Sequence, residues 1–202
     1  MDGSAPDEAV VARAAGVLRA GELIVYPTET LYALGGLGLL AAAAHRVRLA
    51  KGRADDKPLP LIVADTEAAR ALCRSWPAAA DTLAARFWPG PLTLVLPASE
   101  RVPAEVTAGT GTVAIRVSGL PLARALSRAV GPLVSTSANW AGEPAAVTCS
   151  EALAAVGAAT ALALDGGACT GAPSTIVDLT GARPVVLREG AVRRADLTGL
   201  LG

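Results

Sequence analysis

Histidine is almost absent: the chain has one, His45. Neither a Ser-His-Asp triad nor a multi-histidine zinc site is therefore expected. His45 lies in a helical Ala/Arg segment and reads as a helix-surface or packing residue. No Gly-x4-Gly-Lys-Ser/Thr run occurs, which excludes a P-loop. Gly109-Thr110-Gly111 imitates the start of a dinucleotide fingerprint, but an apolar strand pattern follows it where that fingerprint needs a helix. Cysteine is scarce and odd in number, with Cys73, Cys149 and Cys169 widely spaced. That usage suits reduced core thiols in a cytoplasmic protein. No apolar run approaches the roughly 20 residues that span a bilayer. The first seven residues are acidic and lack the basic and apolar regions of a signal peptide. Neither sign of charge is in excess, with 18 basic and 18 acidic residues, which argues against a nucleic-acid coat or a polybasic membrane anchor.

Lysine is the informative scarcity. Sixteen of the 18 basic residues are Arg; the two lysines, Lys51 and Lys57, fall within seven positions. Lys is a compact point charge suited to phosphate oxygens and does not interchange with Arg. The pair therefore marks a candidate anion site.

What is present is organised around residues 21–53. Leu23-Ile24-Val25-Tyr26 reads as a buried strand. It ends in Pro27-Thr28-Glu29-Thr30, a turn whose two hydroxyls are expected on one side and whose carboxylate is expected on the other. Gly35 and Gly36 follow in the loop and permit positive φ or a close backbone approach. An Ala-rich helix over 41–50 then stops at Lys51-Gly52-Arg53. Loops at strand ends are where open α/β sheets bind small ligands.

Further along, helices are expected over 7–20, 66–73, 77–88, 120–130 and 150–156, with a short one near Leu200. Strands are expected over 59–63, 92–96, 112–117, 133–135, 161–164, 175–179 and 185–187, and 98–111 as an irregular segment. Alternating elements predict an α/β fold, and the crowded C-terminal strands predict a mixed sheet. The expected architecture is a single-domain, twisted, parallel and antiparallel sheet with flanking helices over 1–202. More than half the residues are hydrophobic, enough for a substantial core.

Six polar loops follow apolar strands: 27–30; 51–53 with Lys57; the Thr112, Ala114 and Arg116 face of one strand; 135–144; 173–175; and 187–190. Singly, each suits a helix cap, a turn or a surface ion pair. Together they offer cations and hydroxyls with no base, thiol or metal set. That combination suits an anionic ligand, a nucleotide phosphate or an amino-acid carboxylate, handled by positioning and charge neutralisation. Asp55-Asp56 reads as a solvated turn.

At these residues the chain resembles the YrdC/Sua5 family of threonylcarbamoyl-adenylate synthases. The matching stretches are YPTETLYALGG (26–36), KGR with KPLPLIV (51–63), FWPGPLTLVLP (87–97), TVAIR (112–116), STSAN (135–139), STIVDLT (174–180) and LREGA (187–191). They stand in the family's order. The resemblance implies that L-threonine, bicarbonate or CO2, and ATP give threonylcarbamoyl-AMP and pyrophosphate, for the t6A37 modification of tRNA. It implies catalytic Lys51 and Arg53. Arg53, Lys57, Thr112, Ser137, Asn139 and Arg188 would hold ATP, and Thr30, Arg116, Ser135 and Ser174 would hold threonine. Mg²⁺ would arrive with ATP, with no metal site on the protein. A downstream tRNA threonylcarbamoyl transferase complex would take the product. Weak tRNA binding is the implied direct contact with RNA.

Ala33, Ala54, Ile62 and Glu189 depart from the usual pattern; Ile62 stands where longer members often carry a threonine-contacting His. The pattern is that of the short form. Two other functions fit parts of the chain. A carbamoyl-adenylate transferase domain would use carbamoyl phosphate, and a non-catalytic RNA-binding module would use a local basic patch.

Overall fold

A computed structural model describes residues 5–52 and 57–200. Helix α1 (Glu8–Arg19) starts at Asp7, whose carboxylate accepts the Ala9 N–H at 2.8 Å. Its chain stops at Gly21, which takes φ 80°. Strands β1 (Ile24–Pro27) and β2 (Tyr32–Leu37) form an antiparallel hairpin, with Tyr26 opposite Ala33.

That hairpin corrects the expected loop over 31–36. Glycine pairs weaken a strand locally, but here close packing requires them. A Cβ on Gly35 would lie 2.5 Å from the Tyr26 ring, and one on Gly36 would lie 2.8 Å from the Leu23 side chain. Neither glycine has positive φ. Close approach, not left-handed backbone, is their role.

Helix α2 (Ala41–Lys51) ends at Gly52 in the left-handed conformation, φ 57°, so Lys51 occupies the last helical position. The remaining elements are β3 (Leu61–Val63), α3 (Thr66–Arg70), α4 (Ala78–Phe87), β4 (Leu92–Pro97), α5 (Ala104–Thr107), β5 (Thr112–Val117), α6 (Pro121–Val130), β6 (Leu133–Ser137), α7 (Cys149–Val156), β7 (Leu162–Ala163), β8 (Thr175–Asp178), β9 (Val185–Arg188) and α8 (Arg194–Leu197). The helix expected over 66–73 ends at Arg70, and the irregular 98–111 segment contains the one-turn α5. His45 is exposed on α2, and all three cysteines are free thiols.

The strands form one sheet in the order β7-β1-β2-β6-β3-β5-β4-β8-β9. The β1–β7, β3–β5 and β4–β8 pairs are parallel and the others antiparallel. The mixed sheet expected from the sequence is present.

Register decides which side chains share a face, because paired residues point the same way. On one face Tyr32, Leu34, Leu61, Val63, Val113 and Ile115 pack with Ala44 and Val47 of α2 and Ala152 and Val156 of α7. On the other, Ile24, Tyr26, Ala33, Ile62 and Leu133 pack with Ala14 and Leu18 of α1 and Ala123 and Leu126 of α6. Each fully buried Leu or Ile contributes about 1.5–3 kcal/mol of transfer free energy.

The second face changes character along the sheet. Ala33 pairs with Ser137, Gly35 with Ser135, Ile62 with Arg116, Ala114 with Val95, and Thr93 with Ile176, which pairs with Arg188. Ser135, Ser137, Thr112, Arg116, Thr93 and Arg188 therefore share the face that α1 and α6 cover only over its other half. The helices stack on β1, β2 and β3, and polar side chains begin beyond them.

Candidate functional site

The 28–30 turn and Arg116 form the first part of this polar surface. Thr28 Oγ1 donates to the Leu31 carbonyl at 2.7 Å. Its proton being used there, Thr30 supplies the proton of the 2.9 Å bond between the two hydroxyls. Arg116 Nη2 in turn donates to Thr30 Oγ1 at 3.0 Å. The hydroxyls do meet, as the alternation predicts. The Glu29 carboxylate, however, is not turned away from them. Its Oε1 lies 2.8 Å from the same Arg116 Nη2, because the turn is bent rather than extended.

Glu29 is anchored from behind. Ser118 Oγ donates to its Oε2 at 2.5 Å, and the Gly119 N–H also reaches it. A Cβ on Gly119 would stand 3.2 Å from the carboxyl carbon, so glycine is what lets the backbone come this near. Burial pushes the Glu29 carboxyl up, but Arg116, Ser118 and Gly119 outweigh it and hold it below the ordinary 4.5. Among the described residues, Glu29 Oε1 and Arg116 Nε are the buried side-chain polar atoms without a hydrogen bond. The Oε1–Nη2 contact is an ion pair by distance but out of line for a hydrogen bond.

Ser135 is set by Tyr26, whose hydroxyl donates to Ser135 Oγ at 2.8 Å. The Tyr26 ring is fully buried, and burial pushes its pKa to about 12, so it remains a donor at any working pH. Accepting from Tyr26 leaves the Ser135 proton free to point elsewhere.

Lys51 links the end of α2 to the loop after β6. Its ammonium donates to Ser137 O at 2.5 Å, Asn139 O at 2.7 Å and Asn139 Oδ1 at 3.0 Å. Ser137 Oγ also donates to Asn139 Oδ1, at 2.6 Å, and Asn139 Nδ2 donates to Glu143 O at 2.6 Å. The lysine is only 3% exposed. The neighbouring Trp140 is 52% exposed and lies against Gly52, where a Cβ would meet the indole ring at 3.0 Å.

The third part joins β4, β8 and β9. Arg188 Nε and Nη2 donate to Ser174 O at 3.1 and 2.8 Å. Ser174 Oγ bonds Thr93 Oγ1 at 2.9 Å. Burial, and then the charge of Arg116, lower the Arg188 pKa. Arg188 therefore lies within reach of the Arg116 charge, and among the described residues no carboxylate pairs with Arg188. Thr112, at the rim, bonds Thr110 Oγ1 at 2.9 Å, and Lys57 is exposed. Arg53, with Ala54, Asp55 and Asp56, lies outside the described residues.

The structure thus joins Lys51 with Ser137 and Asn139, Arg116 with Thr30, and Arg188 with Ser174. Sequence reasoning missed Glu29, Ser118, Tyr26 and Thr93 as participants. Glu29 was visible between two threonines already singled out, but its partners are supplied by strands distant in sequence. Such a surface can hold anions at Arg116 and Arg188 and hydrogen-bond an ordered polar ligand between them. Among the described residues, no group of three or more His, Cys, Asp or Glu could hold a metal ion.

Residues 16–190 match the profile of the family designated Sua5, YciO and YrdC and described as "Telomere recombination". The chain belongs to the Sua5/YciO/YrdC family. A threonylcarbamoyl-AMP synthase of Pyrococcus abyssi is 39% identical over 94% of this chain and 56% of its own length. One of Thiobacillus denitrificans is 40% identical over 80% of this chain and 87% of its own. The crystal structure of P. abyssi Sua5 complexed with L-threonine superposes with a TM-score of 0.95, at 38% identity, covering 98% of this chain and 59% of that one. The chain thus spans little more than half the length of the P. abyssi relative. Family membership accounts for the mixed sheet with its flanking helices.

Proposed function

We propose that the chain is an L-threonylcarbamoyladenylate synthase: L-threonine, bicarbonate or CO2, and ATP give threonylcarbamoyl-AMP and pyrophosphate. The observation that carries this reading is the shared face of Arg116, Ser135, Ser137 and Arg188 beside the 28–30 turn. It offers separate cations for a carboxylate and for phosphates, in a chain whose relatives bear that enzyme's name.

Threonine rests against Thr30, Arg116, Ser135 and Ser174. ATP lies across Thr112, Ser137, Asn139 and Arg188, with Arg53 and Lys57 at its phosphates. Lys51, buried and bonded to Ser137 and Asn139, fixes that loop and adds positive potential at the α-phosphate. Charge that develops on departing pyrophosphate is then met by preplaced donors, each typically worth on the order of 10²-fold in rate. The cations and hydroxyls that the described residues bring to this face suit Mg²⁺ carried by the triphosphate. No helix among the described residues is long and apolar enough to cross a membrane. The product would pass to a tRNA threonylcarbamoyl transferase in the cytoplasm, for modification of adenosine 37.

Adduct formation and pyrophosphate release are to be measured with each substrate omitted in turn, and with carbamoyl phosphate in place of threonine and bicarbonate. Dependence on all three substrates supports the reading; turnover with carbamoyl phosphate alone overturns it. Arg116→Ala should weaken threonine binding, and unchanged affinity removes Arg116 from the pocket.

A further inference from the structure

An α-amino acid carries two opposite charges one carbon apart. The residues assigned to threonine so far, Thr30, Arg116, Ser135 and Ser174, include a cation for its carboxylate but no anion for its ammonium. Glu29 is the carboxylate in contact with Arg116, 2.8 Å from Nη2. Each member of the pair keeps one buried atom without a hydrogen bond, Arg116 Nε and Glu29 Oε1. Native interiors retain few such atoms, because each unmade bond is costly and more so for charged groups. Here the two are of opposite sign and belong to one ion pair.

We propose that Glu29 and Arg116 form a clamp for the zwitterionic end of the substrate, with Arg116 taking the carboxylate and Glu29 Oε1 accepting the α-ammonium. This rests on the amino-acid reading of the site. In the empty protein the two side chains satisfy each other's charge; with substrate bound, each faces the opposite charge of the ligand. Glu29 is built for the task. Its Oε2 is held by Ser118 Oγ, and the absent Cβ of Gly119 makes room for the carboxylate. The turn itself is strapped from outside: Thr170 Oγ1 donates to Glu29 O at 3.0 Å and Gly171 N to Thr30 O at 2.9 Å. An acceptor fixed in advance loses little freedom on binding. The amine is also the atom that gains the carbon from bicarbonate, so the residue that holds it stands beside the reacting centre.

The test compares two ligands by calorimetry on the full chain, with and without ATP. One is L-threonine; the other is 2,3-dihydroxybutanoate, the same skeleton with a hydroxyl in place of the ammonium. Wild type should prefer threonine by about tenfold or more, the scale of a charge-assisted hydrogen bond. Glu29→Gln should bring the ratio of the two dissociation constants close to one by weakening threonine alone. Equal loss of both ligands would mean that Glu29 acts only through Arg116, and an unchanged ratio would mean that it does not meet the ammonium; either overturns the proposal. Should Glu29→Gln not fold, Ser118→Ala loosens the same carboxylate, and the ratio must still narrow. If wild type binds no threonine under either condition, the amino-acid reading itself falls. If wild type binds and the variants keep its preference, only the role of Glu29 falls.

Discussion

Lys51 Nζ lies 3.0 Å from Asn139 Oδ1, joining residues 88 positions apart at the end of one helix and in the loop after one strand. The same ammonium holds the Ser137 and Asn139 carbonyls. Lys51→Met keeps the aliphatic stem and removes the donors. Buried acceptors left without a partner cost about 1–3 kcal/mol. The variant should therefore melt several degrees lower, and ATP affinity should fall because Ser137 and Asn139 lose their anchor. Thermal unfolding and nucleotide titration check both; a variant with wild-type melting would show that the ammonium does not secure this loop.

Gly35 and Tyr26 make a second pair whose geometry dictates an outcome. A Cβ at 35 would sit 2.5 Å from the Tyr26 ring, which is fully buried and has nowhere to retreat. Gly35→Ala should destabilise by about 1–3 kcal/mol, the usual cost of overpacking. It should also displace the hydroxyl from Ser135. Tyr26→Phe separates the two effects: it keeps the packing and loses only the hydrogen bond, about 0.5–1.5 kcal/mol. Denaturant unfolding of both variants gives the comparison, with Gly35→Ala expected to be the worse.

Glu29 predicts a pH dependence. Its folded pKa lies below the ordinary 4.5, so the ionised form is favoured by folding. Its contribution to stability is then fully present above that ordinary value and is lost as pH falls through the lower folded one. Glu29→Gln has no such group. The stability difference between wild type and variant should be constant from neutrality down to about pH 5 and shrink below it. Denaturation series at stepped pH measure it; a difference that grew on acidification would reverse the sign of the assigned shift.

Much of this was legible in the chain. The strand 24–27, the helix closing on Lys51-Gly52 and the polar ends of β5 and β6 follow from apolar runs bounded by Pro, Gly and hydroxyl residues. Strand β2 was not, because Gly35 and Gly36 mimic a loop until the Tyr26 ring that needs their bareness is in place. The partner of Glu29 was also hidden. Ser118, Gly119 and Arg116 reach it through strand order, and a sequence does not state which strands become neighbours. Individual loops were readable, whereas their convergence rests on the β2-β6-β3-β5-β4-β8-β9 order.

Arg188 tests the nucleotide reading through two Michaelis constants measured on one variant. The residue as a whole is exposed on β9, but its guanidinium is partly buried where it clasps Ser174 O with two donors, and among the described residues it has no acid partner. Arg188→Ala removes that charge and both donors to the carbonyl of buried Ser174, so stability should fall by about 1–3 kcal/mol, as for any buried acceptor left unpaired. If the guanidinium meets nucleotide phosphates, KM for ATP should rise by about tenfold or more, as loss of a charge-assisted contact does. KM for threonine should change far less. Arg188→Lys restores the charge but not the planar two-donor grip on Ser174, so it should recover only part of the ATP affinity. Equal rises in both Michaelis constants would move Arg188 from the nucleotide to the wall between the two ligands, beside the Arg116 whose charge it already senses.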